Sequence, residues 1–228
     1  MFSIRQSTLP QLLLWLVCLL VLKVVVVVVL NYRDYLPPNF SSDFLSGRDG
    51  YFFGSYQWAF YPHVVSGPLS LVLGLALNSE ALRRHAPRWH RVLGRVQVVC
   101  VLFFVVPSGF IMAWRAEGGL VAALGFAALA LVTGATVALG LHRALQRRYA
   151  EHQVWMQRCL CCLGSAVVIR LSGGITTLAE LDAAWIYPTM AWVSWLGAVG
   201  GLELVRLTRL PRLASASRAA AGDQKLVS

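Results

Sequence analysis

The chain has 228 residues, of which 57% are hydrophobic and only 13% charged. A soluble domain carries roughly a quarter charged residues, so this composition leaves too little polar surface to face water and excludes an ordinary soluble domain. The formal net charge is +10, which would suit an acidic partner such as nucleic acid; the placement of that charge along the chain argues otherwise.

Several apolar runs reach the roughly 20 residues that a helix needs to cross a bilayer. They predict an all-α polytopic membrane bundle of six transmembrane helices. Residues 1–30 read as a short leader with Arg5 and a first span from Gln11 to Leu30. The apolar core is too long for a signal peptide, and no small-residue cleavage site follows before Asn31, so an uncleaved anchor is expected. Lys23 inside it snorkels to the nearer interface along its apolar stem; a proton or ion role is the sharper alternative.

Residues 31–57 form an extracytoplasmic loop, broken by Pro37, Pro38, Gly47 and Gly50. Its aromatic end, Tyr51-Phe52-Phe53 with Tyr56, Trp58, Phe60 and Tyr61, suits an interfacial belt or a helix lying on the membrane. Residues 58–205 form a five-helix membrane domain. The second span covers Trp58–Asn78, and Ser66, Ser70 and Gly74 recur on it at four-residue spacing, giving one small-residue face for close helix contact. The third covers Val92–Trp114, with a kink expected at Pro107-Ser108-Gly109. A short turn leads to the Ala- and Gly-rich fourth span, Leu120–Leu141. The fifth covers His152–Leu171 and the sixth Trp185–Val205; residues 206–228 form a basic, Ala/Ser-rich tail expected to be disordered.

The arginines orient the bundle. The leader, the 79–95 loop, the 142–158 region and the tail hold 15 of the 20 basic residues. The three opposite loops hold six of the ten acids. This is a positive-inside pattern with both termini cytoplasmic. It accounts for the charge without nucleic acid, and no basic-aromatic nucleic-acid motif is present. The five cysteines all lie in apolar spans, which suits packing rather than a disulfide framework. Cys159 and Cys162 share a helix face, where a metal or redox pair is the sharper alternative.

From His63 to Val205 the chain resembles a bacterial predicted-membrane-protein family, domain of unknown function 2306. The resemblance rests on five pieces: His63-x-x-x-Gly67, His90-Arg91-x-x-Gly94-Arg95, Gly118-Gly119-x5-Gly125, His152-x-x-Trp155-Met156-x-Arg158 with Arg170, and Trp192-x-x-Trp195 with Glu203. The sixth span departs from the family, with Gly197-Ala198 where a Pro-Asn pair is usual. The resemblance implies the span count and a bacterial inner-membrane location, and brings no activity.

The histidines can be placed by depth. His90 and His152 open the third and fifth spans at the cytoplasmic face, as diagonal partners in an up-down bundle. Two histidines so placed suit a single b-type haem, with Arg91, Arg95 and Arg158 near its propionates. Interfacial histidines bonded to backbone, phosphate or carboxylate are the plainer reading. His63 lies at the opposite face and its diagonal partner near Leu120 is not a histidine, which excludes a two-haem wire; His63 suits quinone or proton handling. Met156 as an axial ligand is a weaker alternative to packing. Arg158 is expected to pair with Glu203 at similar depth. Arg170, near the outer face, is expected to meet Glu180, Asp182 or a lipid phosphate. The alternative for both arginines is an anionic ligand held between helices. Trp155 reads as a packing residue.

No Walker loop, Gly-x-Ser-x-Gly elbow or His-Glu-x-x-His motif is present. Two functions therefore stand side by side. One is a non-enzymatic membrane protein that scaffolds, binds lipid or assists a membrane partner or a second copy of itself. The other is a membrane redox protein holding one haem or a quinone near the cytoplasmic face. A transporter would require an inverted repeat or paired broken helices, and neither is visible.

Overall fold

We describe the protein from a computed structural model that covers residues 8–42, 44–181 and 183–226. Arg5, Asp43 and Asp182 lie outside the described residues. Among the described residues ten helices follow in chain order: α1 (Thr8–Leu30), α2 (Tyr32–Tyr35), α3 (Asp49–Tyr51), α4 (Gln57–Asn78), α5 (Glu80–His85), α6 (Pro87–Val99), α7 (Val106–Ala113), α8 (Gly119–Leu145), α9 (Tyr149–Leu178) and α10 (Ile186–Leu226). Wider π-type turns join α3 to α4 over Phe52–Tyr56 and α6 to α7 over Cys100–Val105. No strand occurs among the described residues.

Among the described residues five stretches are long and apolar enough to cross a membrane: Gln11–Tyr35, Asp49–Asn78, Pro87–Ala113, Gly119–Leu145 and Tyr149–Leu178. The sixth expected span, at the start of α10, falls short of that hydropathy. Its four tryptophan and tyrosine residues and its glycines dilute the apolar run, and Glu203 and Arg206 close it. It still packs along α8 and α9 as a member of the bundle. α10 then runs on through the 206–226 stretch, where composition predicts disorder. The physical reason is its alanines, Ala214, Ala216 and Ala219 to Ala221, which are the strongest helix formers.

Small residues let the helices approach. Ser66, Ser70 and Gly74 of α4 are all buried, as their spacing predicts. A Cβ on Gly74 would lie 3.1 Å from Leu160 Cδ1 of α9. The opposite flank of the same stripe meets Gln97, which is fully buried and donates from Nε2 to the Ser70 carbonyl at 3.0 Å. In hydrocarbon such a side chain must find its partner inside the protein. Pro107 sits at the start of α7, just after the π-type turn. The Ser108 hydroxyl donates to the Phe104 carbonyl one turn earlier.

The outer loop is more ordered than its prolines and glycines suggest. Phe52, Phe60 and Leu45 are fully buried and pack with Tyr35, Phe40, Phe44 and Tyr56. Phe52 and Phe60 meet edge to face at 5.5 Å between centroids. Trp58 and Phe53 remain outward-facing, as an interfacial belt would have them. Tyr32 and Tyr61 pin this cluster to the bundle by donating to the carbonyls of Val64 at 2.7 Å and Tyr35 at 3.0 Å.

The turn into α8 depends on glycine. Gly118 has φ +81°, and a Cβ there would lie 2.6 Å from Pro188 Cγ of α10. Gly119 has φ +71° but open space around it. Gly118→Ala is therefore expected to cost roughly 2–4 kcal/mol, from backbone strain and the clash together, and Gly119→Ala about 1 kcal/mol from strain alone. Unfolding midpoints of the two variants in detergent would check this. Equal losses would mean that the Pro188 contact does not fix Gly118.

Candidate functional site

At the end of the bundle where α6 and α9 begin, α6 brings His90 and α9 brings His152. α6 starts five residues before the expected third span, so His90 lies inside the helix rather than at its mouth. His152 Nδ1 is 2.8 Å from the Gly140 carbonyl of α8. A carbonyl only accepts, so Nδ1 carries the proton and Nε2 is left as the free lone pair. His90 lies within electrostatic reach of His152 and Arg83. Its Nδ1 is sealed from solvent without a hydrogen-bond partner among the described residues.

Arg158 is committed elsewhere. Its Nε donates to Glu203 Oε1 of α10 at 2.8 Å, and its guanidinium lies 4.2 Å from the centroid of the Trp155 ring. Arg206 adds a second cation 3.5 Å from the same carboxylate oxygen. Trp155 and Met156 also pack against Gly140, where a Cβ would lie 2.8 Å from Met156 Sδ. The packing reading of both therefore has a stated partner. Arg91 and Arg95 are exposed on α6 and form no salt bridge among the described residues. The structure thus brings His90 towards His152, and separates Arg158 from them by its pairing with Glu203.

The outer end holds a second set. His63 Nδ1 is 3.0 Å from Ser108 Oγ across α4 and α7. Gly109 lets the imidazole lie flat on the helix, since a Cβ there would sit 3.2 Å from His63 Cε1. Arg170 of α9 donates to the Ala166 carbonyl of its own helix at 3.3 Å. No bridge from Arg170 to Glu180 forms among the described residues, and Asp182 lies outside them. Lys23 is exposed on α1, as a snorkelling lysine would be. Cys159 and Cys162 are both buried among apolar and small neighbours. No cluster of three or more His, Cys, Asp or Glu suited to a metal occurs among the described residues.

Two polar residues escaped the sequence reading. Arg48 is 6% exposed; its Nη2 lies 3.1 Å from Glu117 Oε1, and its guanidinium sits 4.8 Å from the Phe44 ring centroid. The pair joins the outer loop to the α7–α8 turn, 69 positions away in sequence. Gln97 is the second. Its signal was present, as a lone amide among valines in a span, which in lipid implies an internal acceptor.

This arrangement defines a polytopic helical membrane protein with one histidine-bearing polar layer near each face. Residues 60–205 match the family described as predicted membrane protein (DUF2306), and the chain belongs to that family. No curated protein and no solved structure matches the chain. The glycine piece of the resemblance acquires a physical role here. Gly118 fits beneath Pro188, and a Cβ on Gly125 would lie 3.1 Å from both Ala191 Cβ and the Ala191 carbonyl oxygen. Trp192 then donates from Nε1 to the Val121 carbonyl at 3.0 Å, closing α10 onto α8.

The Arg158–Glu203 pair predicts a specific thermodynamic outcome. Glu203→Gln and Arg158→Gln should each lower the unfolding midpoint in detergent by the equivalent of about 1–3 kcal/mol. The double variant should cost less than the sum of the two. Additive losses in that double-mutant cycle would show that the contact carries no coupling energy.

Proposed function

We propose that this protein is a non-enzymatic membrane protein whose cytoplasmic rim binds the headgroups of anionic lipids, and that it works as a scaffold or accessory for a membrane partner or a second copy of itself. The observation that carries this reading is the face of α6. Arg88, Arg91 and Arg95 recur on one side of its first turns, all exposed and without a carboxylate partner among the described residues. Trp89 beside them is 63% exposed, the placement of an interfacial aromatic. Juxtamembrane arginines contribute about 1 kcal/mol each towards an anionic leaflet. A bacterial cytoplasmic membrane, with this rim on the cytoplasmic side, is part of the same proposal and is supported by the charge asymmetry of the loops.

A second reading is favoured by the His152–Gly140 hydrogen bond. An imidazole whose Nδ1–H is held by a carbonyl presents Nε2 in the form that ligates iron. His90 feels its charge across the bundle, and the two histidines would be the ligands of a single b-type haem; a quinone is the other group they would hold. The fit is incomplete at the propionates, because Arg158 is engaged by Glu203, which leaves Arg91 and Arg95 for that role. A haem held there would supply one-electron transfer, while the chain's own part would be to fix the His152 tautomer through Gly140.

The lipid reading predicts that replacing Arg88, Arg91 and Arg95 together by glutamine lowers the retained preference for phosphatidylglycerol over phosphatidylcholine at least tenfold. Native mass spectrometry of protein released from mixed-lipid nanodiscs would measure it, and an unchanged preference would sink the proposal. The haem reading predicts a Soret band in protein purified from haem-supplemented cells, lost in His90→Ala and in His152→Ala. A colourless preparation, or a band that survives both substitutions, would rule out these histidines as ligands.

A further inference from the structure

At the end of the bundle opposite the start of α6, two spans enclose a cleft of about 280 Å³. One wall comes from the π-type turn before α4. It brings Tyr51 and Tyr56, five positions apart, edge to face at 5.3 Å between centroids. The other wall comes from α7, where Phe110 and Trp114 meet edge to face at 5.9 Å and Ile111 lines the cleft with them. Ser55 and Arg115 complete the lining. The spans set its depth. Tyr51 and Ser55 stand near the start of Asp49–Asn78, and Arg115 follows the end of Pro87–Ala113 by two residues. Arg115 therefore sits at the water boundary, and Phe110 and Ile111 lie about a turn deeper in hydrocarbon. Tyr56 is buried, whereas Ile111 is 45% and Trp114 52% exposed, so the α7 wall is open to the surrounding lipid.

The chemistry changes along the cleft. Arg115 is exposed and forms no salt bridge among the described residues; Glu117, two positions on, is engaged by Arg48 at 3.1 Å. The Arg115 guanidinium lies 4.8 Å from the centroid of the Tyr51 ring. That contact uses the flat face of the guanidinium and leaves its N–H edge for an oxyanion, which it can grip with two parallel hydrogen bonds. Ser55, also exposed, adds a hydroxyl. Past this polar mouth the walls are aromatic and aliphatic. The matching ligand has an oxyanion at the water boundary and an apolar chain pointing into the bilayer. A helix of another protein or of a second copy is about 10–12 Å across and cannot enter; an acyl chain, one methylene wide, can. A cationic headgroup beside the phosphate would be repelled by Arg115. We propose that this cleft seats one anionic phospholipid of the leaflet at this end of the bundle, with its phosphate on Arg115 and Ser55 and the start of an acyl chain between the Tyr51–Tyr56 and Phe110–Trp114 pairs. The site lies apart from the α6 arginines and does not rest on them.

The test uses the full chain carrying Arg88→Gln, Arg91→Gln and Arg95→Gln, so that its outcome is independent of the α6 rim. Native mass spectrometry in non-ionic detergent counts the ligand retained on titration with dioleoyl phosphatidylglycerol, dioleoyl phosphatidylcholine or glycerophosphoglycerol, the headgroup without chains. One phosphatidylglycerol is expected to bind about tenfold or more tightly than phosphatidylcholine, and glycerophosphoglycerol is expected not to displace it. Arg115→Gln should weaken that lipid about 10- to 100-fold. Ile111→Trp, which fills the cleft and keeps the charge, should weaken it about tenfold. Arg33→Gln replaces an exposed arginine outside the lining and should leave binding unchanged. Trp114→Ala, at an equally open position, should also weaken binding and carries the test if Arg115→Gln or Ile111→Trp does not fold. The proposal is overturned if the two lipids bind alike, if Arg115→Gln weakens binding no more than Arg33→Gln, if Ile111→Trp leaves binding intact, or if glycerophosphoglycerol displaces the lipid. A dimer that forms without lipid and is lost in Ile111→Trp would assign the cleft to a second copy and overturn it as well.

Discussion

No water reaches the middle of a bilayer, so every polar group there must find its partner within the chain. The bundle is arranged around that constraint. The Ser66–Ser70–Gly74 face brings α4 close enough to α6 for the buried Gln97 amide to donate to the Ser70 carbonyl. Cys100 lies over the Ser66 carbonyl, 3.5 Å away, on the same face. Larger residues along this stripe would push the helices apart, and the amide would lose its acceptor at a cost of several kcal/mol. Close packing and satisfaction of the Gln97 Nε2 donor are here one requirement, while Gln97 Oε1 and Ser66 Oγ stay buried without a partner among the described residues.

The same constraint explains why charge collects near the two faces. Arg158 is neutralised by Glu203 and covered by Trp155, so a cation in a span becomes a contact that ties α9 to α10. Arg48 is treated alike on the outer side, between Glu117 and Phe44. Arg88, Arg91 and Arg95 at the start of α6 stay exposed instead. Family membership over residues 60–205 thus corresponds to a bundle whose motif residues mostly set helix contacts: Gly118 and Gly125 seat α10, and Arg158 with Glu203 fixes its register.

Much of this was legible in the chain. Apolar run lengths fixed the class, and the bounds of α4 and α8 follow them within a few residues, whereas α9 runs on seven residues past the expected Leu171 to Leu178. By hydropathy alone five stretches qualify as spans among the described residues, and the start of α10, the expected sixth, joins the bundle through its packing on α8 and α9 and its Trp192 hydrogen bond. The outer loop reads as irregular from its prolines and glycines, but its order comes from Phe52 and Phe60, whose burial depends on residues brought from both ends of the loop. The Arg48–Glu117 pair was invisible for the same reason, since no local pattern couples positions so far apart.

The sequence by itself determined that this is a helical membrane protein, where its spans run and which face is basic, because hydropathy, run length and charge asymmetry are properties of single segments. It also indicated the inward face of α4, because the spacing of Ser66, Ser70 and Gly74 is local. Only the tertiary structure decided what the helix faces meet. Whether Arg158 meets Glu203 depends on the relative depth and rotation of two helices, and the placement of the helices is set by contacts such as Gly118 against Pro188 and His63 against Gly109 that lie between segments rather than within them.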